Sequence, residues 1–173
     1  MGIPLYDVTV LGFMQTVSAM EGALQRGLAH CKEQGIDTHD IVEMRLHPDM
    51  LPFRFQVVSI VKNSVGAIES VKAGLFARPP ETPALDYAGL QALLADASAK
   101  LKTYTRDEVN ALQGRDMVFH PGDHKMLFTT EDFLLSFSIP NFHFHATTAY
   151  GILRSQGVPL GKRDYLGRVR AKG

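Results

Sequence analysis

Leu134-Leu135-Ser136-Phe137-Ser138-Ile139-Pro140-Asn141-Phe142-His143-Phe144-His145-Ala146-Thr147-Thr148-Ala149-Tyr150-Gly151-Ile152 is the stretch whose reading decides the fold. Leu134, Phe137, Asn141, Phe144, His145, Thr148 and Ile152 recur at helical spacing, as one side of an α-helix requires. Glu131 and Asp132 favour a helix start near Thr130, because carboxylates sit well at the positive end of the helix dipole. Gly157 is a stop signal. A helix over about 130–156 would be roughly 40 Å long. Pro140 falls inside it and brings no N–H, so the segment should kink or break locally there.

Working outward, three more long segments show the same period. Val10, Phe13, Met14, Val17, Met20, Leu24, Leu28 and Cys31 form a stripe over about Asp7–Gln34, with Asp7 as N-cap and Gly35 as terminator. Its glycines, Gly12, Gly22 and Gly27, weaken the helix but permit close helix approach. Val57, Val61, Val65, Ile68, Val71 and Leu75 mark a second helix over about Pro52–Gly74, with Ile60 beside the stripe. Tyr87, Leu90, Leu93, Leu94, Ala97, Leu101 and Tyr104 mark a third. Asp37 caps a short helix to about Leu46, and Thr105-Arg106-Asp107-Glu108 reads as a capping box.

The period changes at Met117–His120 and Lys125–Phe128, which flank Pro121-Gly122-Asp123. That is hairpin chemistry. Arg78–Pro83, with three prolines, is a linker long enough for a crossover. The fold class is therefore mainly α: a four-helix bundle with short extra helices and a small β-hairpin before the last long helix. One domain spans residues 1–167, followed by a basic, irregular tail at 168–173.

Composition limits function. Lys plus Arg number 18 and Asp plus Glu number 18, so there is no net field to attract nucleic acid or an anionic membrane. The single Cys31 excludes an internal disulfide framework and suits a reducing compartment. No apolar run reaches the roughly 18 residues of a membrane span. The opening Met1–Tyr6 has no basic and apolar leader pattern. The expectation is a cytoplasmic protein. Neither a phosphate-binding glycine loop nor a Gly-x-Ser-x-Gly elbow occurs.

His143 and His145 cannot chelate together from a helix, where two residues span about 200°. The stripe puts His145 inside, one turn beyond Asn141, and His143 toward Tyr150 or the surface. A buried His145 is either a neutral imidazole hydrogen-bonded to a carbonyl, Asn141 or water, or a metal ligand or general base. His47-Pro48-Asp49 reads as a turn, with Asp49 near the next helix start.

Pro140-Asn141-Phe142-His143-Phe144-His145-Ala146-Thr147-Thr148-Ala149-Tyr150 continues to Gly157-Val158-Pro159-Leu160-Gly161-Lys162-Arg163-Asp164-Tyr165-Leu166-Gly167. With Leu5-Tyr6-Asp7-Val8 and Arg45-Leu46-His47-Pro48-Asp49-Met50, it resembles a bacterial domain-of-unknown-function family related to the DinB/YfiT-like superfamily of metalloenzymes. The resemblance spans about residues 5–167. It implies an up-down-down-up four-helix bundle and a homodimer. It also implies three histidine ligands for a divalent metal, one on the second long helix and two as His-x-x-x-His on the fourth. Here His145 matches the first of that pair, but Ala149 follows four residues later. The second long helix has no histidine, and Gln56 is its nearest polar candidate. The expectation is thus a bundle without the three-His site and without a cofactor, holding a small-molecule pocket near His145, Asn141, Gln56, Tyr150 and His47. The alternative is a metal-dependent transferase or hydrolase with a rearranged site, His145 joined by His47 or Asp49.

Overall fold

A helix end leaves backbone groups open, and several boundaries here fall where a side chain or a left-handed glycine meets that demand. The computed structural model describes residues 2–77, 84–120 and 124–172. Helix α1 (Leu5–Val8) leads into α2 (Val10–Gln34) through a break at Thr9, whose hydroxyl donates to the Leu5 carbonyl at 2.7 Å. Asp7, expected as a cap, lies within α1 instead and pairs with Arg106 at 2.5 Å. Gly35 ends α2 with φ of 65°, a left-handed conformation that favours glycine. Asp37 caps α3 (Thr38–Glu43) by accepting the His39 N–H at 2.8 Å.

The second long segment is two helices, α4 (Phe53–Lys62) and α5 (Val65–Ala73), not the single one expected. The break is chemical. Ser64 Oγ donates to the Ile60 carbonyl at 2.7 Å and Asn63 Nδ2 donates to the Ser59 carbonyl at 2.9 Å. These side chains compete with the backbone for acceptors of the helical ladder. Strand β1 (Leu75–Ala77) follows, then α6 (Tyr87–Leu101), capped by Asp86, and α7 (Arg106–Asn110), capped by Thr105. The expected linker at 78–83 and the turn at 121–123 lie outside the described residues.

Strands β2 (Asp116–His120) and β3 (Met126–Thr129) pair antiparallel, with Met117 opposite Phe128. The hairpin is not alone: β1 pairs parallel to β2, making a three-stranded sheet in the order β1-β2-β3. Leu75, read as the last position of a helical stripe, is instead an edge-strand residue 49% exposed.

Helix α8 (Thr130–Asp132), a π-helical turn (Phe133–Ser138) and α9 (Ile139–Ser155) form the last long rod. The wider π turn directly precedes Pro140, which has no N–H to give to the preceding turn. It also shifts the side-chain register. Phe142 is fully buried, its ring edge-on to Phe13 at 4.8 Å, whereas Phe144, expected inside, is 58% exposed. Carrying one period straight through Pro140 therefore places the aromatic residues wrongly.

Around the core, α2 packs on α6 and α9, and α4 packs on the same two, so α2 and α4 lie on one diagonal. Gly27 permits the tightest of these approaches: a Cβ there would stand 2.3 Å from the Tyr87 hydroxyl, which donates to the Leu24 carbonyl at 2.8 Å. Gly12 and Gly22 face open space. The segment after Gly157 contains α10 (Lys162–Leu166), which packs on α2 and anchors it by an Arg26–Asp164 ion pair at 3.3 Å. Residues 168–172 are exposed and irregular. Among the described residues, no helix is long and apolar enough to cross a membrane.

Candidate functional site

The break after α4 and the π turn before α9 leave a gap where the sheet meets the bundle. Helix α4 supplies Phe55, Ser59 and Lys62, and Asn63 follows at its end. The sheet supplies Phe76 and Phe119, the π turn Phe137, and α9 Asn141 and His145. Together they enclose a cavity of about 220 Å³. The phenyl rings pack on one another: Phe119 and Phe137 have centroids 4.6 Å apart, and Phe76 lies 6.0 Å from Phe137. The Lys62 ammonium sits 5.1 Å above the Phe76 ring.

The polar groups are oriented by bonds outside the cavity. Gln56 Nε2 donates to the Leu51 carbonyl at 2.8 Å, so the amide turns its oxygen, Oε1, to His145 Nδ1, also at 2.8 Å. An amide oxygen only accepts, so Nδ1 carries the proton and Nε2 keeps the lone pair. Burial, reinforced by the Lys62 charge, pushes the imidazole down to about 4, so the ring is neutral at pH 7. Asn63 Nδ2 is tied to the Ser59 carbonyl and Asn141 Nδ2 to the Phe137 carbonyl at 2.7 Å. Each amide keeps its carbonyl oxygen and one N–H. The cavity is therefore apolar in its walls, and among its polar groups the Nε2 nitrogen of His145 is fixed as an acceptor.

Of the expected residues, His145, Asn141 and Gln56 converge here. Tyr150 does not: its ring packs on Tyr165 at 5.8 Å. Nor does His47, which is exposed and bonds Asp49 at 2.5 Å in the loop between α3 and α4. His143 turns to Tyr165, 3.3 Å from its hydroxyl. Cys31 is buried core, its thiol pushed up by desolvation. Ser59, Lys62 and Asn63 were missed by the sequence reading, which followed the valine stripe of α4. The signal was present one step aside, because Gln56, Ser59 and Asn63 are spaced three and four apart along α4 and the residue that closes it.

A three-histidine divalent metal does not fit this donor set. Nδ1 of His145 is engaged by Gln56, the residue one turn on is the buried Ala149, and a lysine shares the cavity. Among the described residues, no three His, Cys, Asp or Glu side chains come together. His47 and Asp49 pair with each other rather than with His145.

This ring of helices, with its cavity between α4 and α9, has the architecture of the DinB class. A solved DinB family member protein from Shewanella denitrificans is 25% identical, covers 98% of this chain and 95% of its own, and superposes with a TM-score of 0.81. The chain belongs to the family described as a domain of unknown function, DUF1993, matched over residues 5–166. No curated protein matches it.

Proposed function

We propose that this protein binds a small molecule in the cavity between α4, α9 and the sheet, and that it does so without the metal chemistry of three-histidine relatives. The observation that carries this reading is a partly enclosed aromatic space whose polar groups are fixed by second bonds to Leu51, Ser59 and Phe137 carbonyls. Pre-oriented polar groups in apolar walls are what ligand pockets consist of. The test is a screen of small aromatic compounds by ligand-observed NMR, repeated on Ser59→Leu, which puts a larger side chain into the space. Binders of the wild type should be lost in the variant. Binding that is unchanged in Ser59→Leu, or that never occurs at millimolar concentration, contradicts the reading. Metal analysis of untagged protein checks the other half: we expect no stoichiometric zinc, nickel, iron or manganese. A stoichiometric ion lost in His145→Ala would restore the metal-dependent alternative.

The reading includes a homodimer formed along the outer face of α9. Phe144 is 58% exposed there, and the 47% exposed Leu46 rests against Gly151, seven residues along the same face. Sedimentation should give a dimer at micromolar concentration, and a clean monomer would remove this part. A cytoplasmic setting goes with the one buried thiol.

A further inference from the structure

We propose that the cavity's ligand is a neutral ring compound bearing an O–H or N–H donor, which the Nε2 lone pair of His145 accepts. The inference rests on the cavity reading above and adds the chemical class. Three facts converge. First, the Leu51 carbonyl orients Gln56, and Gln56 orients His145, so the ring nitrogen left over can only accept. Among the described residues, Nδ1 is the one ring nitrogen of His145 that is hydrogen-bonded. Secondly, Asn63 and Asn141 each place one N–H on a backbone carbonyl, which fixes the amide and leaves its oxygen as a further acceptor beside the second N–H. An imidazole nitrogen that can only accept selects a donor, because a ligand without one leaves that nitrogen desolvated and unpaired. Thirdly, four phenylalanines form the walls. Apolar cavities of about 150 Å³ take benzene, so about 220 Å³ admits a six-membered ring with a polar substituent. Burying an ion of either sign among these aromatic walls costs more than burying a neutral group, and the Nε2 lone pair repels a carboxylate, which leaves the neutral donor.

Gln56 is then a positioning residue: it touches no ligand and fixes the tautomer that does. The experiment titrates intact protein with phenol, anisole, benzoate and benzylammonium, following affinity by NMR and the ring nitrogens of His145 by long-range proton–nitrogen correlation. Phenol should bind at least about fivefold more tightly than anisole, the loss expected for one unpaired buried acceptor. Its binding should shift the Nε2 resonance and leave Nδ1 protonated. His145→Phe should abolish the preference for phenol while anisole still binds. Gln56→Met should reduce the preference even if His145→Phe fails to fold. Equal binding of phenol and anisole overturns the donor assignment and leaves the cavity reading standing. Tighter binding of benzoate or benzylammonium overturns neutrality. No binding by any of the four removes the cavity reading, and the inference with it.

Discussion

Gly27→Ala is the sharpest test of how the helices meet. The added Cβ would lie 2.3 Å from the Tyr87 hydroxyl oxygen and 3.1 Å from Leu153 Cδ2. Tyr87 is 3% exposed and stacks on Phe53 at 6.2 Å, so the ring cannot simply swing into solvent. Retreat breaks the bond to the Leu24 carbonyl and leaves a buried hydroxyl unpaired, at about 1–3 kcal/mol. Overpacking of the core adds roughly 1–3 kcal/mol. Replacing glycine in a helix interior returns about 1 kcal/mol. The net expectation is about 3 kcal/mol of destabilisation, read as a lower urea midpoint at unchanged slope. Two controls isolate the cause. Gly22→Ala, in open space on the same helix, should stabilise by up to about 1 kcal/mol. Tyr87→Phe removes the clashing oxygen, so Gly27→Ala should be much less damaging in that background. A Gly27→Ala protein as stable as the wild type would refute the close approach of α2 and α6.

The π turn before Pro140 is tested by a pair of truncations measured at dilution, where the chain is monomeric: Phe142→Ala should destabilise by about 3–5 kcal/mol, while Phe144→Ala should change stability by less than roughly 0.5 kcal/mol. Reversed values would mean that one uninterrupted helical register runs through the segment. Stability should also fall with acid in a particular window. His145 takes its proton near 6.5 when unfolded but only at about 4 when folded, so below pH 6.5 the unfolded chain binds the proton first. Stability should therefore decline from about pH 6.5 to 4 by about 2–3 kcal/mol, discounted for partial exposure of the ring. Desolvated His143 contributes with the same sign. Thermal unfolding of His145→Gln across this range should show a shallower decline, and an identical slope would contradict the neutral ring.

Periodicity made the four rods legible because burial of an apolar stripe is a local, repeating demand. Two of the expected caps were equally local: Asp37 and Thr105 accept a backbone N–H two and three residues ahead, as Asp86, which the pattern did not single out, also does. What the pattern hid were places where a side chain replaced a backbone interaction. The Ser64 hydroxyl took the Ile60 carbonyl, its own N–H turned to the Val61 carbonyl, and one helix became two. Pro140 disturbs the segment as expected, yet the π turn before it puts Phe142 in the core and leaves Phe144 exposed, while Thr148 and Ile152 farther along stay buried on the expected stripe. Strand β1 has three residues and exists through pairing with β2, more than 40 positions away, so no local signal announces it. The cavity depends on all three features. Its centre, His145 beside Asn141, was visible in the sequence. Its walls, Phe76 and Phe119, were brought by the sheet.

The state of one imidazole tests the chemistry most directly. Long-range proton–nitrogen correlation on ligand-free protein at pH 7 should show His145 protonated at Nδ1 and bare at Nε2, unchanged on acidification until about pH 4. A ring protonated at Nε2, or already an imidazolium at pH 6, would contradict the hydrogen-bond relay from Leu51 through Gln56 and the acceptor role built on it.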